Sequence, residues 1–231
     1  MAVAWRSSGT VASRSSDNTS ALTVTQPAGH QAGDILILIA FSYHGAGAAT
    51  INTPAGWTLI SASAAWANSN TSKCAAFYKI AASSSEPSVS VSTATTSFMD
   101  CQISAFSGAD GTTPIDANTS WVTSGASSTS FTCQAITTVT NNALLVYFIC
   151  DNDGATYGTP PTGVTERAES GPTFTGFDFV VATKTKTPAG SESSGTYTKT
   201  TGPNGGIGIV VALAIAGGGG AAFVPQTLII S

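Results

Sequence analysis

Apolar and polar residues alternate with a period of two along most of this chain. The alternating segments are short, rich in β-branched and aromatic residues, and separated by clusters of Gly, Pro, Ser and Asn. Short alternating segments separated by turn-forming residues are typical of antiparallel strands joined by turns. No segment of any length shows the spacing of apolar residues that is typical of a helix. The predicted strands lie at 21–26, 34–42, 57–63, 74–81, 88–93, 101–107, 130–138, 143–150, 164–170, 176–187, 195–200 and 206–216. We therefore predict an all-β fold, an antiparallel, jelly-roll-like β-sandwich.

The order of these segments repeats along the chain. The stretch "GDILILIAFSYHG" resembles "NALLVYFICDNDG", and "INTPAGWTLISAS" resembles "GTPPTGVTERAES". This indicates an internal duplication with halves at about 4–110 and 112–217. The joint is "SGADGTTPID", because Gly108 and Gly111 permit positive φ and Pro114 cannot donate to a strand ladder.

Each half has one long strand that is apolar at nearly every position, "ILILIAF" and "LLVYFI". Continuous apolar runs of this length are typical of strands that are buried on both faces. We therefore predict that residues 1–217 form a single β-sandwich whose two halves share one core.

The end of the chain differs in character from the rest. Four glycines at 217–220 precede "AAFVPQTLIIS", and such a glycine run forms a flexible joint. Because an exposed apolar terminus promotes aggregation, we expect residues 218–231 to form an arm that docks on its own sandwich or on a neighbour's sheet edge. The candidate partner-binding residues are Phe223, Val224, Pro225, Leu228, Ile229 and Ile230.

Charged residues make up only 9% of the chain, against about 25% in ordinary globular proteins. The net charge is −4 and the basic residues are scattered, which argues against binding to a nucleic-acid backbone. The start "MAVAWRSSGT" lacks the apolar segment of an export signal, and no apolar run approaches about 18 residues. We expect neither export by such a signal nor a membrane helix.

The four cysteines all lie in strand-like segments, and none forms a Cys-x-x-Cys pair or has a histidine at metal-ligand spacing. We favour buried free thiols, since no export signal points to an oxidising compartment. A cross-strand disulfide between Cys74 and Cys101 is the alternative.

Residues with acid–base chemistry do not form a recognisable catalytic pattern. His30 and His44 flank one strand in turn-like segments, where solvated side chains are expected, and no Gly-x-Ser-x-Gly elbow occurs. Several aspartates lie at strand ends, where Asp commonly makes turns. They are Asp100, Asp110, Asp116, Asp151, Asp153 and Asp178.

The stretch "DNDGATYG" at 151–158 resembles the first half of a calcium loop, but no Glu closes the loop at its twelfth position. A strand-to-loop turn is the favoured interpretation.

We predict no catalytic, cofactor-binding or metal-binding residues, and hence a protein that is not an enzyme. Trp66 and Trp121 lie in polar surroundings and are candidates for glycan stacking or for interface anchors.

A pattern of positions extends over about 20–216: Gly-Asp before a long apolar strand, Pro-x-Gly-Trp-Thr, an aromatic-Tyr-Lys-x-Ala strand, a Glu-Pro turn and a final Ser-Gly-x-Asp-x-x-x-Pro-Ile-Asp. Its positions are Gly33, Asp34, Pro54, Gly56, Trp57, Thr58, Phe77, Tyr78, Lys79, Ala81, Glu86, Pro87, Ser107, Gly108, Asp110, Pro114, Ile115 and Asp116. This pattern resembles a β-sandwich family found in bacteriophage virion structural proteins and some bacterial surface proteins. The second half matches more loosely, since Val164 stands where Trp57 stands and no Tyr-Lys pair follows. The apolar C-terminal segment with its proline also resembles the endings of some phage structural proteins.

The resemblance implies a bacteriophage virion structural protein that acts through protein–protein contacts. A capsid decoration or cement protein is the first expectation, and a component of the tail, collar or fibre is the second. It further implies a homo-oligomer within the virion, assembled in the host cytoplasm, with other capsid or tail subunits as partners. A carbohydrate-binding adhesion module that recognises a host surface glycan is the alternative from another class, and an esterase or glycosidase ranks last.

Overall fold

The computed structural model describes residues 2–44, 47, 49–65, 72–125, 127–151, 156–170, 178–200 and 205–217. No helix occurs within these ranges, and the paired strands run antiparallel. The predicted all-β, antiparallel sandwich with two similar halves is therefore confirmed. The predicted C-terminal arm, residues 218–231, lies outside the described residues.

The strands fall into two sets that are separated at the midpoint of the chain. The first set is β1 (Ala4–Ser8), β2 (Ala12–Asn18), β3 (Leu22–Val24), β4 (Ile35–Tyr43), β5 (Thr58–Ala62), β6 (Ser72–Ile80), β7 (Val89–Val91) and β8 (Ser97–Ser107). The second set is β9 (Ile115–Asn118), β10 (Val122–Thr123), β11 (Ser130–Cys133), β12 (Ile136–Thr138), β13 (Ala143–Asp151), β14 (Thr165–Ser170), β15 (Asp178–Lys186), β16 (Gly190–Glu192), β17 (Gly195–Thr198) and β18 (Gly206–Leu213).

Each half builds one large sheet, and the two large sheets have the same order. The first runs β1-β8-β4-β6-β5, with β2 also paired to β8. The second runs β10-β18-β13-β15-β14, with β9 also paired to β18. In both sheets the long apolar strand, β4 or β13, lies at the centre, as a continuous apolar run requires.

Irregularities in the ladders repeat between the halves as well. Arg6 is the extra residue of a bulge where β1 pairs with β8, and Asp116 is the extra residue where β9 pairs with β18. Ile60 in β5 and Arg167 in β14 occupy a second matching pair of bulges. Because a bulge is a specific local feature, two matched pairs support a duplicated plan beyond a shared strand pattern.

The two large sheets pack face to face around one central core. Alternate side chains of β4, among them Ile37 and Ile39, share this core with alternate side chains of β13, among them Val146 and Phe148. The Phe106 and Phe148 rings meet edge to face across the sheets, with centroids 6.5 Å apart. Both halves therefore contribute to one apolar interior.

The opposite face of each large sheet is covered by smaller sheets. The pair β3–β7 covers the first sheet, where Val24 and Val91 pack with Leu36 and Leu38. The pairs β11–β17 and β12–β16 cover the second sheet, where Tyr197 joins the outer core. The described strands thus form four layers, and β4 and β13 are buried on both faces.

The structure adds strands that the pattern did not predict. β1, β2, β9, β10 and β16 are short or polar, and they lack the apolar alternation that reveals a half-buried strand. The single strand predicted at 130–138 is divided into β11 and β12, which pair with different partners.

The alternative disulfide between Cys74 and Cys101 is excluded, because the two side chains lie on opposite faces of the same sheet. Cys74 faces the central core, whereas Cys101 faces the outer core of the first half. Side chains on opposite faces of one sheet point apart and cannot be bridged without backbone movement. All four cysteines are free and buried.

Replacing Phe148 by Ala should lower the free energy of unfolding by about 4 kcal/mol, because a fully buried aromatic ring leaves a cavity between the two sheets. Urea denaturation followed by tryptophan fluorescence measures this loss. Val139, which is 70% exposed, provides the control, and Val139→Ala should change stability by less than about 0.5 kcal/mol. A loss of under about 1 kcal/mol for Phe148→Ala would contradict the shared core.

Candidate functional site

The predicted partner-binding residues of the C-terminal arm, Phe223, Val224, Pro225, Leu228, Ile229 and Ile230, lie outside the described residues, as does Trp66. Trp121 is half-buried and packs against the central core, and its indole nitrogen lies below the surface. The Trp121 ring therefore contributes part of its surface to the interior of the sandwich.

His30 is buried, so the expectation of a solvated histidine is wrong at this position. Its Nε2 accepts a hydrogen bond from the Glu86 amide at 3.2 Å, so Nδ1 carries the proton and donates to the Pro27 carbonyl at 2.9 Å. His30 thus joins two turns of the first half. His44 lies at the surface end of β4, with Nε2 3.1 Å from an Asp17 carboxylate oxygen.

The joint between the halves is built from aspartate turn chemistry. Asp110 Oδ1 accepts hydrogen bonds from the amides of Thr112 and Thr113, each at 2.8 Å. These amides lower the pKa of Asp110 to about 2. Asp116 accepts from the amides of Val139 and Thr140, and so joins β9 to the turn before β13. Both carboxylates have structural partners.

Two of the aspartates at strand ends come together inside the protein. Asp151 and Asp178 are directly opposite each other in the β13–β15 ladder, and both are buried. Lys199 Nζ lies 2.7 Å from Asp151 Oδ2, and the Tyr157 hydroxyl donates to the same oxygen at 3.1 Å. Nothing in the sequence pattern joins Lys199 to Asp151, because 48 residues separate them.

This cluster also gives the outcome for the "DNDGATYG" stretch. In the described part of that stretch, the Asp151 carboxylate pairs with Lys199 and accepts a hydrogen bond from Tyr157. Residues 152–155 lie outside the described residues. Within the described ranges, no group of three or more His, Cys, Asp or Glu side chains is placed to hold a metal ion.

The halves share a surface feature at the end of the central strands. Lys79 stands opposite Leu36 in the first sheet, and Lys184 stands opposite Leu145 in the second. The sequence alone shows no Tyr-Lys pair in the second half, yet the register places Lys184 at the position of Lys79. Strand register, which the sequence comparison lacked, was needed to find this equivalence.

Each of these lysines pairs with a glutamate from the loop or strand that follows. Lys79 pairs with Glu86, and Lys184 pairs with Glu192. The hydrogen bond from each lysine lowers the pKa of its glutamate, and backbone amides add to the effect at Glu86. Because the lysines are about one quarter exposed, water screens these pairs and limits what they contribute to stability.

A shallow recess lies beside each Lys–Glu pair. The first, of about 200 Å³, is lined by Trp57 and Pro87, and the second, of about 280 Å³, is lined by Val164 and Pro161. A Pro-x-Gly turn lies beside each recess. In each turn the backbone amide of the residue after the glycine donates a hydrogen bond to the carbonyl of the proline, three positions earlier. Gly56 has φ 76° and Gly163 has φ 77°, a conformation that favours glycine.

The edge strands beside these recesses differ in chemistry. β5, with the sequence TLISA, carries no charge, and its Leu59 is 47% exposed. β14, with the sequence TERAES, carries Glu166, Arg167 and Glu169. Leu59 and Val139 are the large apolar side chains that are exposed among the described residues. The β5 edge is therefore the apolar one of the two equivalent edges.

The thiols contribute no reactive group to the surface. Burial raises the pKa of Cys133 to about 12, and burial together with the nearby Cys150 raises the pKa of Cys74 well above its ordinary value. A thiol that keeps its proton is a poor nucleophile. Cys74 and Cys150 meet within the central core, one from each half.

No family model matches this sequence, and no curated protein is significantly similar to it. The described residues contain no helix long and apolar enough to cross a membrane. The candidate functional surface is therefore defined by geometry alone. It consists of the β5 edge and the recess beside Trp57, and we refer to it as the β5 surface.

Substituting Asp110 by Ala should destabilise the protein at neutral pH, because the amides of Thr112 and Thr113 lose their acceptor. The folded-state pKa of about 2 lies below the ordinary value of 3.8. The contribution of this carboxylate is therefore complete above the ordinary value and is lost as the pH falls through the folded value.

Urea denaturation of wild type and Asp110→Ala at a series of pH values checks this dependence. The difference in stability should shrink as the pH approaches about 2. Asp110→Asn is the matched control, since an amide oxygen still accepts hydrogen bonds but does not titrate in this range. A difference that stays constant across the acid range would refute the assigned role.

Proposed function

We propose that this chain is a bacteriophage virion structural protein, a capsid decoration or cement protein that binds neighbouring virion subunits. The observation that carries the proposal is the β5 surface, whose edge strand is uncharged and carries an exposed leucine, on a chain with few charged residues. The sequence resemblance to phage β-sandwich proteins gives the class of partner. The chain acts within a homo-oligomer on the virion, which is assembled in the host cytoplasm.

The chemistry of the β5 edge supports strand addition by a partner. Natural proteins protect open edges with charged residues, bulges or very short strands. β5 has a bulge at Ile60 but no charge, whereas its counterpart β14 has both a bulge and three charged side chains. Two equivalent edges of one duplicated fold thus differ in protection, and β5, which lacks the charges of β14, is the one suited to pair with another chain.

The recess beside β5 adds a site for a side chain. An added strand gains affinity from backbone hydrogen bonds and specificity from pockets that accept alternate side chains. Trp57 and Pro87 give the recess an apolar wall, while Lys79 and Gln26 supply polar groups at its rim. A partner segment with an apolar residue beside a hydrogen-bonding one fits this arrangement.

Weak contacts of this kind suffice on a particle. Burying about 500 Å² of apolar surface contributes on the order of 12 kcal/mol before the costs of ordering are subtracted. Many copies on a symmetric lattice add avidity, so each contact can be modest.

A component of the tail, collar or fibre would use the same surface, and the location on the particle distinguishes these roles. The apolar arm of residues 218–231 is a second proposed contact with neighbouring subunits.

The glycan-binding alternative draws less support from the same geometry. It requires Trp66 or Trp121 on an open patch, and Trp121 packs against the central core. Binding to a glycan array without any association with particles would favour this alternative over the virion role.

The test is occupancy on purified particles, measured by quantitative mass spectrometry and located by electron microscopy. Wild-type chain should occur at a fixed copy number, and Leu59→Lys should raise the concentration needed for half-occupancy about tenfold, equivalent to about 1.4 kcal/mol. The physical reason is that lysine at an edge strand opposes pairing with another chain.

Val139→Lys is the matched control, because it places the same charge at the other large apolar side chain that is exposed in the described part of the chain, and it should leave occupancy unchanged. Deletion of residues 218–231 tests the arm in the same assay, and undiminished occupancy would remove the arm from the proposal. Absence of the wild-type chain from purified particles would refute the virion role itself. Normal binding of Leu59→Lys would refute only the β5 surface.

A further inference from the structure

A lysine, two aspartates and a tyrosine meet in the outer core of the second half. The Lys199 and Asp151 side chains are both 0% exposed, and their contacting atoms are 2.7 Å apart. Asp178 lies directly across the ladder from Asp151, which places the two side chains on one face with their Cβ atoms about 5 Å apart. Tyr157 completes the cluster through its hydrogen bond to Asp151.

The surroundings of the cluster are apolar and closely fitted. The same core contains Ile149, Val180 and Tyr197, and the Tyr157 and Tyr197 rings meet edge to face. A Cβ atom at position 206 would lie 3.0 Å from Asp151 Oδ2, so glycine there leaves the space that the carboxyl occupies. The fold therefore makes room for this carboxyl, although burying charges away from water is costly.

We propose that Lys199 and Asp151 join through an intramolecular amide bond, an isopeptide cross-link formed by the folded chain itself. Asp178 carries the proton between the reacting groups, and Tyr157 donates its hydrogen bond to the Asp151 oxygen on which charge develops. The site is thus a self-modification site, and it is independent of the proposed role on a virion.

The reaction balances without any further reagent. A proton moves from the Lys199 ammonium to the carboxyls, which leaves a neutral amine beside a neutral Asp151 acid. The amine nitrogen attacks Cγ of Asp151, the new N–C bond forms, and the bond from Cγ to Oδ1 breaks. Oδ1 leaves as water, taking the proton of the acid and one proton from the nitrogen by way of Asp178. The product is a secondary amide, and nothing is oxidised or reduced.

Each residue of the cluster has a physical reason for its role. Two carboxylates and one ammonium together carry one excess negative charge, and a proton shared among them removes it. Burial away from water makes each charge in the cluster costly, and the transfer of one proton from the ammonium to a carboxyl removes two charges at once and leaves an amine as the nucleophile. Burial, together with Asp151, raises the pKa of Tyr157, so the phenol keeps its proton and donates it in a hydrogen bond.

The cross-link has a clear mechanical consequence. It ties the last residue of β13 to the segment that follows β17, and the two are 48 residues apart. A covalent tie across such a loop restricts the unfolded chain and holds the two layers of the second half together.

Intact mass spectrometry of the denatured, purified chain tests the proposal, because the readout does not depend on how the protein folds afterwards. The wild-type mass should be lower than the sequence mass by one water. After protease digestion, one branched peptide should join the fragment that contains Asp151 to the fragment that contains Lys199. On a denaturing gel the chain should migrate faster than Lys199→Met.

The variants separate the roles of the four residues. Lys199→Met should show its full sequence mass, and Asp151→Asn should lose one ammonia, since the side-chain amide then provides the leaving group. Asp178→Asn should retain its full mass while a circular dichroism spectrum typical of β-structure shows that the chain has folded.

Two outcomes would overturn the proposal. A wild-type mass equal to the sequence mass means that Lys199 and Asp151 form an ion pair only. A loss of water that maps to another residue, such as a cyclised Asp110-Gly111 pair, means that the cluster is unreactive.

Discussion

The apolar contact between the two large sheets is the interaction on which the rest of this structure depends. β4 and β13 each present one face to this interior and the other face to a smaller outer core. A strand that is buried on both faces has no solvent-facing side, so neither half can expose its large sheet without uncovering a continuous apolar surface. The matched sheet orders and matched bulges follow from placing two copies of one plan back to back.

The packing of the two large sheets against each other also determines which parts of the protein remain at the surface. Since the faces of the large sheets are covered, the protein presents their outer edges, the turns at the strand ends and the outer faces of the small sheets to other molecules. The two halves supply equivalent edges and equivalent Lys–Glu pairs, but only one edge lacks charge. Duplication followed by divergence can thus give one surface that binds and one that stays protected, which is the asymmetry that the proposed virion role uses.

The strand pattern was sufficient for the fold class, because period-two alternation and long apolar runs depend on local sequence. The strand pattern did not predict β1 and β2, because their mostly polar residues form the hydrogen bonds of a strand ladder without presenting an apolar face. It also failed for His30, since a histidine in a turn can be covered by a second turn that is 56 residues distant.

The candidate site was less accessible to sequence reasoning than the fold. The aspartates at 151 and 178 could be named from the sequence, but their approach depends on the register of β13 and β15. Lys199 reaches Asp151 only because β17 packs over the second sheet, and this tertiary contact has no local signal in the sequence. The β5 surface depends on which strand is at the edge, and strand order cannot be read from alternation alone.

Hydrogen exchange of the native protein in increasing urea, resolved by peptide, measures the coupling of the halves most directly. If one interior holds both, the slowest amides of β4 and β13 should exchange with the same free energy of opening and the same dependence on urea. Two separate opening energies, with one central strand exchanging while the other stays protected, would show that the halves are independent domains and would contradict the account.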